Sequence, residues 1–325
     1  MPVTVVRFNL VDPHGTPRTL SARYRAALEM VRYADDRGID TVQTEEHHGT
    51  GNNWLPSPLA LAGAVLGATR RITVTVSAII GPLYDPLRAA EDIAVLDLLS
   101  GGRLVTVAGL GYRREEYEQH GVDWARRGRL QDELLEALLA AWTGEPFAFR
   151  GRTVRVTPAP YTRPHPPLLV GGSSKAAARR AARLGLPFFP GAHLPELAAY
   201  YAEQLVAYGR EGFCMMPAAR TALLHLAEDP DRVWAEHGAC FLHEARTYAS
   251  WQSGGVRSAV RSAAGSVAEL RAEGVYRVLT PEEAVEYARG AESLVLHPLC
   301  GGMPADEGWR SLHLLCERVL PRLGK

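Results

Sequence analysis

The chain alternates between short apolar runs and longer segments with helical periodicity along almost its whole length. The apolar runs are rich in Val, Ile and Leu and end at Gly, Pro or polar clusters, a pattern typical of buried strands. Eight such runs occupy residues 3–10, 41–46, 71–80, 103–111, 166–172, 186–191, 218–227 and 292–299.

The segments between these runs predict helices. Several begin with Ser, Asp or Pro and end at Gly, as helix capping requires. Strict alternation of strand and helix requires parallel strands joined by crossover helices. Eight such units in 325 residues, with no Pro/Ser-rich linker, favour one α/β domain over residues 1–325, a (β/α)8 TIM barrel, rather than two doubly wound domains.

Two stretches interrupt the alternation. Residues 145–167 predict an inserted hairpin, and residues 228–280 form a long excursion between the seventh and eighth predicted strands. Long insertions in a barrel commonly build the substrate side.

Charge and cysteine usage narrow the class of partner. Lys plus Arg and Asp plus Glu both number 36, so no excess charge favours nucleic acid or an anionic membrane, and a small-molecule substrate is expected. The four cysteines form no CxxC pair and are interpreted as free thiols in a reducing compartment. With no signal-like N-terminus and no long apolar run, we expect a cytoplasmic protein without a membrane partner.

The carboxyl ends of the strands locate the candidate site, because active sites of such barrels lie there. We expect the residues just past the strands to meet in one pocket. They are Glu46, His47 and His48, then Ser77 and Ala78, Gly109 to Tyr112, Gly171 to Ser174, Pro190 and Gly191, and His297 to Gly302.

The run VGGSSKAAARRAARLG predicts an anion site. Gly171 and Gly172 end a strand, and Ser173 and Ser174 open a helix, so backbone N–H groups and two hydroxyls face one spot. A phosphate of a substrate or cofactor would bind there; the alternative is a tight turn with a capping serine.

The run EEHH, residues 45–48, suggests a metal at first sight. Adjacent residues on a strand point to opposite faces, and the helical HExxH spacing is missing, so no metal is expected. One histidine then acts in the pocket as a hydrogen-bond donor or general base, or the cluster is structural.

Taken together, these motifs resemble one family. EHH after the second strand, AEDIAVLDLLSGGR before the fourth, GLGYRREEYEQHGVD after it and GGSS after the fifth occur in the order found in luciferase-like flavin-dependent oxidoreductases. These are (β/α)8 barrels that use FMN or the deazaflavin F420. The resemblance covers residues 3 to about 210 well, and residues 210–290 contribute little.

The resemblance implies roles for individual residues. His47 matches the histidine beside the reactive edge of the flavin, with Glu46 and His48 as neighbours. Ser77 and Ala78 match a position that often has a non-proline cis peptide beneath the flavin ring. The other cofactor-binding positions are Gly109, Gly171, Gly172, Ser173, Ser174 and, among Arg126, Arg127 and Arg129, Arg127 for the phosphate charge.

One departure from the family pattern limits the chemistry. Bacterial luciferase has a reactive cysteine followed by an arginine where this chain has Gly109 and Leu110. A long-lived luminescent intermediate is therefore not implied.

The implied activity is that of a monooxygenase that uses O2 and reduced FMN, supplied by a separate reductase. F420-dependent hydride transfer is the alternative; Arg179, Arg180 and Arg183 would hold the F420 tail or else form a solvated face. A flavin-binding barrel without catalysis is the third possibility. Family members commonly form dimers, so a homodimer is expected.

The substrate side is the least readable part of the sequence. Tyr112, His297 and Cys300 are the candidate substrate contacts. Tyr248, Trp251 and Tyr276 line a lid or pack the long insertion onto the barrel.

Overall fold

The computed structural model describes residues 1–219, 222–252, 258, 260 and 262–325. Within these residues, each of the eight predicted strands is present. Residues 220–221 of the seventh predicted strand, and residues 253–257, 259 and 261 of the predicted excursion, lie outside the described residues. The strands in chain order are β1 Val3–Phe8, β2 Thr41–Thr44, β3 Thr73–Ile80, β4 Leu104–Gly109, β5 Phe147–Phe149, β6 Arg152–Val154, β7 Leu168–Gly171, β8 Phe188–Phe189, β9 Leu223–Leu226, β10 Tyr276–Leu279 and β11 Ser293–Leu296.

Helices alternate with these strands. They are α1 Pro17–Asp36, α2 Pro58–Ala68, α3 Pro86–Ser100, α4 Arg114–Gln119, α5 Arg127–Ala141, α6 Lys175–Leu184, α7 Pro195–Tyr208, α8 Pro230–Trp251, α9 Val267–Glu273, α10 Pro281–Gly290 and α11 Ala305–Leu314. None of these described helices combines the length and the apolar character needed to span a bilayer. Their boundaries follow the capping signals: α3, for example, begins after Asp85, whose carboxylate accepts from the Leu87 and Arg88 N–H groups, and ends at Gly101 with φ +64°.

The chain forms two compact units. Unit one comprises Met1–Pro56, Ala68–Ile72 and Ala218–Lys325. It contains five parallel strands in the order β10-β9-β11-β1-β2. Helix α8 packs on the strand layer, where Phe241 and Ala245 join Val5 and Tyr276 in one apolar core.

Unit two comprises Ser57–Gly67 and Thr73–Pro217. Its four parallel strands have the order β3-β4-β7-β8, and β5 pairs with β6 as an antiparallel hairpin. The hairpin confirms the insertion expected at residues 145–167. Parallel strands joined by helices in both units confirm the predicted α/β class.

The predicted excursion at residues 228–280 needs a correction. It contains α8, α9 and a further strand, β10, which pairs in parallel with β9. Tyr276 and Val278 of β10 are buried whereas Arg277 is exposed, so the strand alternates over only four residues. So short a run explains why the sequence pattern did not reveal the strand.

Candidate functional site

In unit one, His47 lies just past the end of β2. Its backbone N–H donates to the Leu55 carbonyl at 3.1 Å, and the side chain is largely buried, with 6% exposure. Three aromatic rings surround the imidazole, with centroid distances of 5.3 Å to Trp54, 4.6 Å to Trp251 and 6.2 Å to Tyr248. The histidine predicted to be catalytic is thus fixed by its backbone and by packing.

The two neighbours of His47 pair with each other. His48 Nε2 lies 2.6 Å from Glu46 Oε1, and the Glu46 side chain is almost completely buried. This pair fixes the turn around His47. The roles of Glu46 and His48 toward a cofactor remain predictions.

A buried ion pair lies beside this turn. Arg7 Nη2 contacts both oxygens of Glu45 at 2.8 Å, and it also donates to the Tyr248 hydroxyl at 2.7 Å. That hydroxyl in turn donates to Glu45 Oε2. Burial lowers the pKa of Arg7, but Glu45, Tyr248 and Glu244 raise it by more, so Arg7 stays charged.

A second carboxylate, Glu244 of α8, forms the centre of a buried network. It accepts from Asn9 Nδ2 at 2.7 Å and from the Tyr276 hydroxyl at 3.2 Å, and His297 Nε2 lies 3.0 Å away. Arg7 Nη1 approaches it at 3.5 Å. Four parts of unit one therefore meet at one buried negative charge, namely α8, β1 with the residue after it, β10 and the end of β11. Such a charge is costly unless it is compensated in this way.

His297 and Cys300, predicted as substrate contacts, lie in this network with 1% and 0% exposure. Burial and the neighbouring Glu244 raise the pKa of Cys300 well above its ordinary value, so the thiol stays protonated. Substrate contact by either residue remains a prediction.

Glu244, His297 and Cys300 also hold metal-ligand atoms within 4.8 Å of one another. A metal would require the cysteine thiolate and free carboxylate oxygens. Both Glu244 oxygens already accept hydrogen bonds, and the Arg7 cation lies next to them. The set is therefore better described as a hydrogen-bonded network than as a metal site.

In unit two, small residues line up at the strand ends. A methyl group at Gly109, the last residue of β4, would lie 3.3 Å from Ala78 Cβ, and one at Gly171, the last residue of β7, would lie 3.8 Å from Gly109 Cα. The Ser77–Ala78 peptide is cis, as expected at this position. The nearest atom to a methyl group at Gly171 would be Val107 Cγ1, at 3.0 Å. Ala78, Gly109 and Gly171 thus lie next to one another at the strand ends as three residues with at most a methyl side chain, which we call the small-residue platform.

The predicted anion site follows directly after the platform. Ser174 is the N-cap of the ten-residue helix α6, and its Oγ accepts from the Ala177 N–H at 3.3 Å. Gly172 has φ +147°, and a methyl group there would lie 2.8 Å from Ala177 Cβ, so only glycine fits. Ser173 is partly buried in this turn. The positive end of α6 therefore opens beside the platform within the same unit.

The remaining predicted residues of unit two lie in other surroundings. The Arg127 guanidinium stacks over Trp124 at 4.0 Å and donates to its carbonyl, so it is held locally. Tyr112 is partly buried between β4 and α4. Arg180 and Arg183 both pair with Asp132, at 2.8 and 3.0 Å, and Arg183 also contacts Glu136. Arg180 is buried and Arg183 is partly exposed, so the solvated-face interpretation holds for Arg183 only, and both guanidinium groups already pair with carboxylates.

A groove of about 1170 Å³ lies elsewhere in unit two, lined by α5, the β5–β6 hairpin and the segment after β3. Its lining includes Arg126 and Arg129, together with Asp132, Glu133 and Glu136. These two alternatives to Arg127 therefore lie among carboxylates.

Four residues of these networks were not predicted as site residues from the sequence: Arg7, Asn9, Glu45 and Glu244. A usable signal was present in the predicted strand run at residues 3–10, since Arg7 and Asn9 interrupt an otherwise largely apolar pattern. Glu244 offered no signal, because a glutamate in a helix is usually exposed. Only the tertiary fold brings it to residues more than 230 positions away.

Comparison with known proteins places these features in context. The family model described as luciferase-like monooxygenase matches residues 1–296. The solved structure of the monooxygenase RslO1 from Streptomyces bottropensis superposes with a TM-score of 0.75 and 25% identity, covering 99% of this chain and all of that one. The predicted (β/α)8 TIM-barrel fold is thereby confirmed, whereas the single-domain organisation remains a prediction.

Two relatives are named for an activity. The FMNH(2)-dependent dimethylsulfone monooxygenase of Pseudomonas putida is 29% identical over 174 residues, 51% of this chain and 44% of that protein. The alkanal monooxygenase alpha chain of Photorhabdus luminescens is 30% identical over 168 residues, 49% of this chain and 46% of that protein. The chain spans about half the length of the curated relatives it matches.

Proposed function

The chain belongs to the luciferase-like monooxygenase family, and from this premise we propose that it is an enzyme, a monooxygenase that uses reduced FMN and O2 on a small organic substrate. The observation that carries the proposal is the small-residue platform followed by the N-terminus of α6. A flat surface suits a planar ring, and a helix N-terminus suits a phosphate. FMN contains both groups.

The residues of unit two fit such a cofactor. Ala78, Gly109 and Gly171 have at most a methyl side chain, so a ring would approach the backbone closely there, and an added methyl group at either glycine would crowd Ala78 or Val107. Ser173, Ser174 and the first N–H groups of α6 would hold the phosphate. Reduced FMN, when bound, supplies the electrons that activate O2 for transfer to the substrate.

His47 is proposed as the acid–base residue. The family pattern assigns it to the reactive edge of the cofactor, and its fixed ring meets the requirement for a positioned proton donor or acceptor. The aromatic side chains around it exclude water, which protects reactive species from hydrolysis and proton leakage.

Two partners complete the proposal. The FMNH(2) dependence of the related dimethylsulfone monooxygenase supports a separate reductase as the source of reduced FMN. A homodimer is proposed through α3, where Val95, Leu98 and Leu99 are exposed apolar side chains on one helix. Light scattering of the purified protein measures the oligomeric state.

The activity can be tested with ¹⁸O2. The protein receives reduced FMN from a separate reductase and a panel of small organic compounds, and mass spectrometry measures labelled oxygen in the products. Incorporation of one labelled atom supports the proposal. Reduction of a carbonyl compound by reduced F420 without O2 would instead establish the hydride-transfer alternative. An absence of turnover with both cofactors would leave the non-catalytic flavin-binding barrel.

A further inference from the structure

One face of α8 connects the buried charges of unit one to His47. Glu244, Tyr248 and Trp251 follow one another at spacings of four and three residues, so their side chains lie on the same face of the helix. Glu244 contacts Asn9 and His297, whereas Trp251 packs against His47. Tyr248 lies between these two ends.

Tyr248 makes contacts of two kinds. Its hydroxyl is held by two buried charged groups, accepting from Arg7 at 2.7 Å and donating to Glu45. Its ring meets Trp54 edge-on at 4.9 Å and borders His47 at 6.2 Å. Hydrogen bonds to charged groups are stronger and more directional than neutral ones, so this ring has a fixed orientation.

We propose that Tyr248 is the positioning residue of His47, and that the Arg7–Glu45 pair fixes Tyr248 for this purpose. The assignment rests on the proposed function in so far as His47 is the acid–base residue. Trp54 packs against both His47 and Tyr248, with centroid distances of 5.3 and 4.9 Å. A change in the orientation of the Tyr248 ring would therefore shift the His47 imidazole both directly and through the Trp54 indole. The ion pair is also next to His47 in sequence, because Glu45 precedes it by two residues.

This arrangement explains why two charges are buried at this position. A buried ion pair is weak evidence for stability, since its desolvation cost often cancels the attraction. The ion pair does fix the orientation of the Tyr248 side chain, because Arg7 donates to Glu45 and to the tyrosine hydroxyl through the same nitrogen. Small errors in the position of a reacting group reduce turnover steeply, so a fixed direction benefits catalysis.

The test compares Tyr248→Phe with Tyr276→Phe. Both substitutions remove one buried hydroxyl that bonds to a carboxylate of the same network, but only Tyr248 borders His47. The first measurement is the NMR signal of the His47 ring, assigned with a His47→Ala sample. It requires no activity, so it remains informative if the proposed function fails.

We expect Tyr248→Phe to displace the His47 ring signals, because neighbouring ring currents depend on orientation, and Tyr276→Phe to leave them in place. In the active enzyme, Tyr248→Phe should lower kcat by about tenfold to 10²-fold with flavin affinity and KM little changed. If Tyr248→Phe does not fold, Glu45→Gln replaces it with the same two measurements, since a neutral amide holds the hydroxyl and Arg7 more weakly. Unchanged His47 signals, or equal displacement in Tyr276→Phe, would overturn the proposal.

Discussion

Gly109 lies directly beside Ala78, since a methyl group on Gly109 would come within 3.3 Å of Ala78 Cβ. The contact joins the ends of two neighbouring strands, β3 and β4. Neither residue has a side chain larger than a methyl group, which is the property that a planar cofactor requires at this position.

Gly109→Ala should therefore weaken FMN binding by about tenfold, equivalent to roughly 1.4 kcal/mol, because the added methyl group occupies the platform. Fluorescence titration measures the affinity. The control is Gly67→Ala in α2, where an added methyl group meets nothing within 4 Å. Unchanged affinity in Gly109→Ala would remove the platform from the cofactor site.

Ser174→Ala should weaken FMN binding while leaving riboflavin binding nearly unchanged, since riboflavin lacks the phosphate. The substitution also removes the N-cap of α6, which costs about 1 kcal/mol of stability. Ser266→Ala removes the equivalent cap from α9 in unit one and serves as the matched control. Equal losses for FMN and riboflavin would contradict a phosphate site at this helix.

His47→Ala should bind the cofactor nearly normally but slow turnover by roughly 10² or more, the effect of a lost acid–base group. Steady-state kinetics and flavin titration measure the two effects separately. His193→Ala, at an exposed histidine, controls for general effects of the substitution. Full activity in His47→Ala would show that the role of this histidine is structural and not catalytic.

The ionised Glu244 carboxylate should make the stability of the fold decrease at acid pH. Burial raises the pKa of this carboxyl, but His297, Arg7 and Asn9 lower it by more, so the folded-state pKa lies below the ordinary 4.5. A depressed carboxyl pKa contributes stability that is complete above the unfolded pKa and is lost as pH falls through the folded pKa. The contribution should thus decline progressively below about pH 4.5.

Glu244→Gln should lower the free energy of unfolding at pH 7 by about 1–3 kcal/mol and flatten its fall below about pH 4.5. Urea unfolding at several pH values measures both effects. Glu286→Gln, which breaks an exposed pair with Arg289, should change neither noticeably. An undiminished acid dependence in Glu244→Gln would assign that dependence to other carboxyls.

The sequence predicts the fold more completely than the site. Buried parallel strands are near-continuous apolar runs, so β1, β3 and β4 are evident from composition alone. By contrast, β10 has an exposed Arg277 among four residues and follows a long segment without strand signals. Its pairing with β9 depends on contacts distant in sequence, which a local pattern does not encode.

The site residues also differ in how far the local sequence predicts them. GGSS predicts the capped helix and its positive end because capping chemistry is local, and Ser174 is indeed the N-cap of α6. The Arg7–Glu45–Tyr248 contacts join residues up to 241 positions apart. Nothing near Tyr248 in the sequence shows that its hydroxyl meets two buried charges.

The central claim, that the chain binds reduced FMN, is tested most directly by anaerobic titration of the purified protein with reduced FMN and, in parallel, with reduced F420. We predict saturable binding of one reduced FMN per chain, at least about tenfold tighter than that of F420, a difference of roughly 1.4 kcal/mol. Equal or tighter binding of F420, or saturable binding of neither, would contradict the account.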